Sequence, residues 1–305
     1  MATFKSNHGG ARRNRKNGST ILRVAIFAGV LLGVFYLFQQ MQEKKSPDLV
    51  SDEILSPMDR ADNQEFYLPK NGRGVQVNHP YFVLSYLEEY EQAEWIAHVL
   101  TRERLEIDYV DRSNRFYADS LVPSGSATWY DYRGSGYDRG HLVPAADLAF
   151  SDEAMHSSFM MSNISPQSRD FNKGIWRELE SQTRIWAKKY KKLYVVTGPV
   201  LSRPIKGRIG KNRVAVPEAF FKVILDASEP ERKGIGFILP NSISYDPIFE
   251  YAVSIDSVEI LTGLDFFPEL LEGALEKKLE KNLNLDLWTF SKRNYDLRIN
   301  KWNKE

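Results

Sequence analysis

The most informative stretch of this 305-residue chain reads Asp131-Tyr-Arg-Gly-Ser-Gly-Tyr-Asp-Arg-Gly-His141. Within it, Arg139 and His141 stand on either side of Gly140. Arginine is a permanent cation whose planar guanidinium fits phosphate oxygens. Histidine is the side chain whose unperturbed pKa suits proton transfer near neutral pH. A glycine between them allows a backbone kink and the close approach of a ligand. The stretch therefore indicates chemistry on a phosphate group.

The glycines of this stretch also suggest a second interpretation, which the spacing excludes. Gly134, Gly136 and Gly140 nearly match a dinucleotide-binding fingerprint, but the third glycine comes one residue late. Pro144 then follows where the helix of that motif should run. The glycines are therefore not interpreted as a nucleotide-binding loop.

Downstream, the pattern predicts a second strand and then a helix. The apolar segment 159–164 leads into Asn163-Ile-Ser-Pro-Gln167, and apolar residues recur at three- and four-residue steps over 174–190. Asn172 stands at the start of this helix, and Glu180 lies about two turns later on the same side. A strand that ends in His141, a second strand and a helix that opens with an amide outline a hydrolytic metal site.

The chemistry of phosphodiester hydrolysis explains these residue types. It needs a base for water, a cation for the developing charge and help for the departing oxygen. His141 can be the base, and Arg139 can hold a phosphate oxygen. Mg²⁺ prefers oxygen ligands and keeps most of its waters, so Asn172 can suffice as a neutral ligand. Glu180 can then hold the metal-bound waters.

Each of these residues also has an ordinary structural explanation. A histidine after glycine is often structural, an asparagine such as Asn172 often caps a helix, and Glu180 can be a solvated helix residue. Asn163 before Pro-Gln is typical of a turn. Only their occurrence together favours a catalytic site.

Further apolar segments predict an α+β fold. Strands are predicted at 81–86, 93–100, 193–197, 214–217, 219–225 and 234–239, and a helix at 255–261. The first two strands form a hairpin. His98 lies in the second of them and is interpreted as a packed strand residue because no ligand partner lies at metal-site spacing. His156 receives no role.

Composition limits the classes of site and partner. There is no cysteine, which excludes disulfides and thiolate metal sites. Six of the 41 basic residues and none of the 40 acidic residues lie in positions 1–40, which leaves the remaining chain with a net charge of −5. Binding of a polyanion would therefore require a local basic surface, for which the 203–213 loop is a candidate.

An apolar run near the N-terminus predicts a membrane anchor. Residues 21–38 are interrupted only by Arg23, and as a helix they would span about 27 Å, close to a bilayer core. No small-residue cleavage site follows, and no polar face indicates a buried helix. We therefore expect a basic cytoplasmic tail at 1–20, a transmembrane signal anchor at 21–40 and a linker at 41–78. The basic residues before the span place the N-terminus in the cytoplasm.

Several ordered motifs resemble those of the DNA/RNA non-specific endonucleases, a family of ββα-metal (His-Me finger) enzymes. The matching segments, between about residues 80 and 264, are Asp131–Gly136, Asp138–His141, Asn163–Gln167, Asn172–Trp176 with Glu180, Val196–Pro199, Val214–Pro217 and Phe221–Val223. The resemblance implies a central, mostly antiparallel sheet flanked by helices. We expect the endonuclease domain at 79–266 and a C-terminal helical extension with a loose tail at 267–305, which Trp288 and Trp302 anchor by packing.

The resemblance also implies roles for the site residues. His141 would be the general base, Asn172 the sole direct protein ligand of Mg²⁺, and Glu180 would bind metal-bound water. Arg139 would bind substrate phosphate, and Asn163 would support the active site. The family often uses a further upstream arginine, for which Arg112 and Arg115 are both candidates.

The expected activity is cleavage of DNA and RNA to 5′-phosphate and 3′-hydroxyl ends, with Mg²⁺ replaceable by Mn²⁺. A homodimer is possible. The enzyme domain would lie across the membrane: in the periplasm or outside the cell in a bacterium, or in the mitochondrial intermembrane space in a eukaryote. Two alternatives stay open. One is a catalytically weak, membrane-tethered nucleic-acid-binding protein, and the other is a phosphodiesterase with another substrate.

Overall fold

The computed structural model describes residues 65–107, 110–202, 204–271 and 273–305. The predicted tail at 1–20, the predicted membrane anchor at 21–40 and most of the linker at 41–78 lie outside these residues, as does Arg203 of the basic loop. Among the described residues, no helix is long and apolar enough to cross a membrane.

A seven-stranded antiparallel sheet forms the centre of the described part of the chain, in the order β1-β2-β3-β6-β9-β10-β11. Two further pairs, β4-β5 and β7-β8, lie outside it. In chain order the strands are β1 Val75–Asn78, β2 Val83–Leu87, β3 Gln92–Thr101, β4 Asp138–His141, β5 Ile164–Gln167, β6 Lys192–Pro199, β7 Gly207–Ile209, β8 Val214–Val216, β9 Ala219–Asp226, β10 Lys233–Pro240 and β11 Ala252–Val253. The predicted α+β fold with a mostly antiparallel sheet is confirmed.

Helices cover both faces of the sheet. They are α1 Arg102–Glu106, α2 Asp152–Ser158, α3 Arg169–Phe171, α4 Arg177–Tyr190, α5 Ile255–Thr262, α6 Gly273–Lys281 and α7 Lys292–Asn300. A π-helical segment, Asn172–Trp176, joins α3 to α4 across a kink at Gly174, where the backbone is not helical. The predicted helix at 174–190 is thus confirmed, although it begins inside this π-helical segment.

The alternation of side chains along β9 shows how the sheet separates two cores. Phe220 and Ile224 pack into the core that contains α4, whereas Phe221 and Val223 pack into the core beneath α5. This is the period of two expected for a strand buried on both faces. Lys222 therefore points toward the α4 side, although it lies in an otherwise apolar strand.

The β4-β5 pair and the following helix form the predicted ββα unit. The strands are antiparallel, with Asp138 opposite Gln167 and His141 opposite Ile164. Residue 168 leads directly from β5 into α3. The first strand of the unit thus ends at His141, and the helix carries Asn172 and Glu180.

The C-terminal segment packs on α4 rather than forming a loose tail. Trp288 and Trp302 are buried, as expected for packing anchors. The ring of Trp288 lies edge-on to Trp186 of α4 at 4.7 Å between centroids. Trp186 also donates its indole N–H to the carbonyl of Thr289 at 2.7 Å. The expected loose tail was therefore wrong.

Candidate active site

Gly140 allows a side chain of the paired strand to approach β4 closely. A Cβ atom at this position would lie 2.1 Å from the side chain of Gln167 on the paired strand. The backbone here is extended rather than kinked, because Gly140 lies within β4. The expected kink was therefore wrong, whereas the expected approach of a ligand stays a prediction.

Two hydrogen bonds tie β4 to the helical segment beside it. Asn172 donates its amide N–H to Asp138 Oδ2 at 3.0 Å, and Trp176 donates its indole N–H to the carbonyl of His141 at 3.3 Å. The first bond lies at the start of β4 and the second at its end. The structure thus brings Asn172 and His141, which are distant in sequence, to one site.

The imidazole of His141 lies in an apolar setting. It is 7% exposed, and its ring centroid lies 5.7 Å from that of Phe116 and 4.9 Å from that of Phe159. Its Nε2 atom is buried and has no hydrogen-bond partner among the described residues. Burial, followed by the charges of Arg112 and Arg139, lowers the pKa of His141 to about 3. The imidazole is therefore neutral and able to accept a proton.

The three candidate arginines lie over aromatic rings near this histidine. Arg112 stands 5.5 Å from the centroid of Phe159, and Arg139 stands 4.3 Å from that of Phe116. Both of these rings flank His141. Arg115 lies instead over Tyr117, at 5.5 Å. The geometry therefore favours Arg112 over Arg115 as the upstream arginine, a choice that the sequence left open.

Asn163 holds the backbone that follows His141. Its Oδ1 accepts from the N–H of Val143 at 2.8 Å, and its Nδ2 donates to the carbonyls of Val143 and Ser158 at 2.9 and 2.7 Å. The side chain is fully buried. These bonds suit the supporting role expected of Asn163 and use both polar atoms of its amide.

Glu180 lies among buried charges that the sequence did not single out. Burial raises the pKa of Glu180, although the nearby cations of Arg184 and Lys222 oppose this shift. Burial likewise lowers the pKa of Lys222, whose ammonium donates to Thr197 Oγ1 at 2.6 Å. Arg184 also donates to the buried Asp147 Oδ1 at 2.9 Å. The charge on Glu180 thus depends on its neighbours.

One sequence signal pointed to this charged group. Lys222 interrupts the apolar run 219–225 at a position whose neighbours two residues away face the core. A lysine is almost never fully buried unless it is paired, so it predicts an acidic partner. The acids whose charges act on Lys222 are Glu180 on α4 and Asp147, while its hydrogen-bond partner is the hydroxyl of Thr197.

His98, predicted to be a packed strand residue, is buried in β3. Its Nε2 lies 3.4 Å from Asp147 Oδ2, in the same charged region.

The donor set fits a hard divalent cation. Because Nδ2 of Asn172 is bound to Asp138, the amide is oriented with its Oδ1 free of hydrogen-bond donors among the described residues. Amide and carboxylate oxygens are the ligands that Mg²⁺ prefers. A cation near Glu180 would also favour its charged form against the effect of burial. Asn172 and Glu180 are therefore suited to hold Mg²⁺ and its waters.

A ββα unit with a neutral buried histidine, flanking arginines and oxygen donors on the helix defines a hydrolase of phosphodiesters. The sequence matches the DNA/RNA non-specific endonuclease family over residues 59–272. The chain belongs to this family and is a hydrolytic endonuclease.

Individual relatives agree with this membership. The chain is 34% identical to the mitochondrial nuclease EXOG of Xenopus laevis over 250 residues, which cover 76% of this chain and 68% of that protein. It is 37% identical to human mitochondrial endonuclease G over 206 residues, which cover 63% of this chain and 69% of that protein. A crystal structure of the EndoG/EndoGI complex superposes with a TM-score of 0.62 at 34% identity, covering 67% of this chain and 89% of that one.

Proposed function

We propose that the chain is a Mg²⁺-dependent, sequence-nonspecific endonuclease that acts on DNA and RNA. The observation that carries this proposal is His141, whose buried Nε2 has no hydrogen-bond partner in the part of the chain that the structure describes. It lies at the end of a strand that is bonded to Asn172, and Arg112 and Arg139 flank it.

His141 is proposed to be the general base. Its imidazole takes a proton from water while the water oxygen attacks the phosphorus. The bond from phosphorus to the 3′-oxygen then breaks, and the departing oxygen takes up a proton from solvent water, which leaves 5′-phosphate and 3′-hydroxyl ends. Arg112 and Arg139 hold the phosphate oxygens beside the imidazole, since guanidinium groups match phosphate geometry. The same cations keep the imidazole unprotonated before the reaction.

Asn172 is proposed to hold the metal through Oδ1, with Glu180 accepting hydrogen bonds from its waters. When bound, Mg²⁺ would supply positive charge that stabilises the negative charge developing on the reacting oxygens. Asp138 fixes the orientation of the Asn172 amide, and the charges of Lys222 and Arg184 favour the charged form of Glu180 against the effect of burial. We expect Mn²⁺ to substitute for Mg²⁺.

The proposal is tested by incubating the full-length protein with supercoiled plasmid, single-stranded RNA and a small phosphodiester, with Mg²⁺, Mn²⁺ or EDTA. We expect metal-dependent cleavage of both nucleic acids and 5′-phosphate ends in the products. Turnover of the small diester alone would favour a phosphodiesterase with another substrate. Binding of nucleic acid without any hydrolysis would favour the non-catalytic alternative.

We further propose that residues 21–40 anchor the protein in a membrane, with the enzyme domain on the far side. Support comes from the apolar run of the sequence, and two mitochondrial relatives favour a mitochondrial membrane. Extraction of native membranes at alkaline pH tests the anchor. The protein should stay in the membrane pellet, whereas its release into the supernatant would contradict an anchor.

A homodimer is also proposed, on the family resemblance alone. Light scattering of the detergent-solubilised, full-length protein would measure its mass. A mass of about one chain at micromolar concentration would contradict the dimer.

A further inference from the structure

Two large aromatic side chains are exposed together close to the candidate active site. Trp129 is 37% and Tyr130 is 64% exposed, and their rings stack at 3.8 Å between centroids with planes 28° apart. Exposed aromatic surface that is rimmed by polar groups often marks a binding site. This pair is called the aromatic platform below.

The segment that carries the platform is held in place by its neighbours. Trp129–Tyr132 is a 3₁₀ helix, capped by reciprocal hydrogen bonds between Thr128 and Asp131. The carboxylate of Asp131 also accepts from the backbone N–H of Asn212 at 2.9 Å, which ties the segment to the β7-β8 hairpin. The buried Tyr132 packs beneath it and donates to the carbonyl of Ile164 on β5. The two rings are therefore presented in a fixed orientation.

The platform forms one wall of an open groove of about 710 Å³ that leads to the site. Phe116, Tyr117 and the guanidinium groups of Arg115 and Arg139 also line this groove. Arg139 lies over Phe116 and also acts on the charge of His141. The groove thus joins stacking surfaces and fixed cations to the reacting centre.

We propose that the aromatic platform stacks against an unpaired nucleobase of the substrate, while Arg115 and Arg139 hold the adjoining phosphates. This inference rests on the proposed nuclease function. Stacking accepts any base, because every base has a π-face, so it is compatible with cleavage that ignores sequence. Bases within a duplex are already stacked on their neighbours. The platform therefore gives preference for single strands over duplexes.

The test measures equilibrium binding of the full-length protein in EDTA, where hydrolysis does not interfere. Three fluorescent 12-nucleotide probes are compared by anisotropy: a single strand, the same strand in a duplex, and a strand of abasic sites that keeps the phosphates but lacks bases. We expect the single strand to bind most tightly. Equal affinity for the single strand and the abasic strand would overturn the proposal.

Substitutions then locate the effect. The double variant Trp129→Ala and Tyr130→Ala should bind the single strand roughly 5- to 100-fold more weakly than the wild type. Its affinity for the abasic strand should change little. Trp129→Phe should retain most of the affinity. Tyr245→Ala removes an equally exposed tyrosine outside the groove and should have no effect. Equal losses for all three probes would indicate a general electrostatic or structural defect and overturn the proposal.

A measurement on the unmodified protein covers the case in which the double variant does not fold. A single strand that contains 5-iodouracil should cross-link under ultraviolet light to Trp129 or Tyr130, as mapped by mass spectrometry. Cross-links only at other residues would overturn the platform. If neither aromatic residue is cross-linked but Mg²⁺-dependent cleavage is intact, the platform is refuted and the proposed function is not. Base-dependent binding without any cleavage would refute the proposed function and keep the platform.

A second inference comes from a separate group of carboxylates on the opposite side of the sheet. Asp256 and Glu259 lie on α5, Glu276 and Glu280 lie on α6, and Asp265 lies in the connecting loop. The carboxylate oxygens of Asp256, Glu259 and Glu280 lie within 4.8 Å of one another, and so do those of Asp265, Glu276 and Glu280. Glu280 is the residue common to both groups.

The side chain of Glu280 points to a bound cation at this cluster. It is only 6% exposed, and its Oε1 is buried without a hydrogen-bond partner among the described residues. Within that part of the chain, no lysine or arginine forms an ion pair with any of the five carboxylates. The nearby Lys70 forms its ion pair with Glu269 instead. A buried carboxylate normally needs a charged or hydrogen-bonding partner.

We infer that these carboxylates bind a Ca²⁺ ion that joins α5 to α6. Ca²⁺ takes six to eight oxygen ligands at about 2.3–2.6 Å in flexible geometry, so its ligands lie up to about 5 Å apart. The observed spacing fits within that range.

Thermal unfolding of the full-length protein with and without Ca²⁺ tests this site. Ca²⁺ should raise the Tm of the wild type and of Asn172→Ala, which lacks the proposed active-site ligand, but not that of Glu280→Gln. Glu269→Gln is the matched control and should respond like the wild type. If Glu280→Gln does not fold, Glu276→Gln replaces it and should show a smaller shift. No shift in the wild type, or a shift that Asn172→Ala abolishes, would overturn the site.

Discussion

His141 owes its charge state to its surroundings. Burial and two arginines lower its pKa from the usual 6.5 to about 3. In the unfolded chain the imidazole binds a proton already below pH about 6.5, whereas in the folded chain it does so only below about 3. Above pH about 6.5 the imidazole is neutral in both states, so its burial has no pH-dependent cost. As the pH falls from about 6.5 toward 3, only the unfolded chain binds the proton, and the folded state loses stability progressively.

Arg112→Gln should raise the pKa of His141, because it removes a cation that faces the imidazole. The acid limb of the pH profile of kcat/KM should therefore move to higher pH than in the wild type, while remaining below 6.5 because burial persists. Profiles for DNA cleavage that extend from below the pKa of about 3 up to pH 8 measure the shift. Arg115→Gln is the control and should leave the limb in place. A limb that moves equally in both variants would contradict the placement of Arg112.

Asp138→Ala should weaken metal binding without removing a proposed metal ligand. Asp138 holds the Asn172 amide at 3.0 Å, and loss of such an orienting bond typically costs about 10- to 100-fold in metal affinity. The Mg²⁺ concentration for half-maximal cleavage should rise by that factor. Asp170→Ala removes an exposed acid near Asn172 and should leave this concentration within about twofold. An unchanged Mg²⁺ requirement in Asp138→Ala would refute the role.

The sequence predicted the identities of these residues better than their surroundings. Asn172, His141 and Arg139 stand in ordered motifs that local spacing reveals. The contact of Gly140 with Gln167 depends on the register between two strands, and the charge of Glu180 acts on Lys222 only after β9 packs against α4. Such contacts join residues far apart in the chain, so local patterns do not define them.

The helix that carries Asn172 and Glu180 is held from outside the matched family region. Within α7, Arg298 is fully buried and donates to the carboxylate of Glu178 on α4. It also donates to the carbonyl of Asp246 at 2.6 Å. A Cβ atom on Gly174 would lie 2.5 Å from Asn303 Oδ1, so the C-terminus also packs closely on the π-helical segment.

Arg298→Met should destabilise the fold strongly, because it leaves the buried Glu178 without its cation. Loss of one partner of a buried ion pair typically costs about 3–5 kcal/mol. The free energy of unfolding in urea measures this change. The double variant with Glu178→Met should recover much of the loss, and Arg293→Met, at an exposed position of α7, should cost little. A loss below about 1 kcal/mol for Arg298→Met would contradict the role.

The elements themselves followed from local patterns. Apolar periodicity predicted the helix at 174–190, and aromatic and β-branched runs predicted β2, β3, β6, β9 and β10. The close packing of the C-terminus was not predicted beyond Trp288 and Trp302, because Arg298 finds its partners far away in sequence.

At the scale of the whole molecule, charge limits how nucleic acid binds. The chain after residue 40 has a net charge of −5. In the candidate basic loop, Lys206 donates to the carbonyl of Asn241 and Arg208 donates to that of Glu89, so both cations have main-chain partners. The exposed side chains of Lys211 and Arg213 remain available to phosphates.

Binding should therefore depend only modestly on salt. The slope of the logarithm of the binding constant against the logarithm of salt concentration reports the phosphates neutralised, at about 0.9 per contact on duplex DNA. We expect a slope that corresponds to a few phosphate contacts. The double variant Lys211→Gln and Arg213→Gln should have a smaller slope than the wild type. Titrations of a labelled duplex in EDTA measure the slope. A value that implies about ten contacts would contradict this expectation.

The central claim is that His141 activates water in a metal-dependent endonuclease. The most direct measurement is the rate of nicking of supercoiled plasmid with Mg²⁺ by the full-length wild type and by His141→Ala, with His156→Ala as an exposed histidine control. The rate should fall by about 10²- to 10⁴-fold in His141→Ala and stay unchanged in the control. Full activity of His141→Ala would contradict the claim.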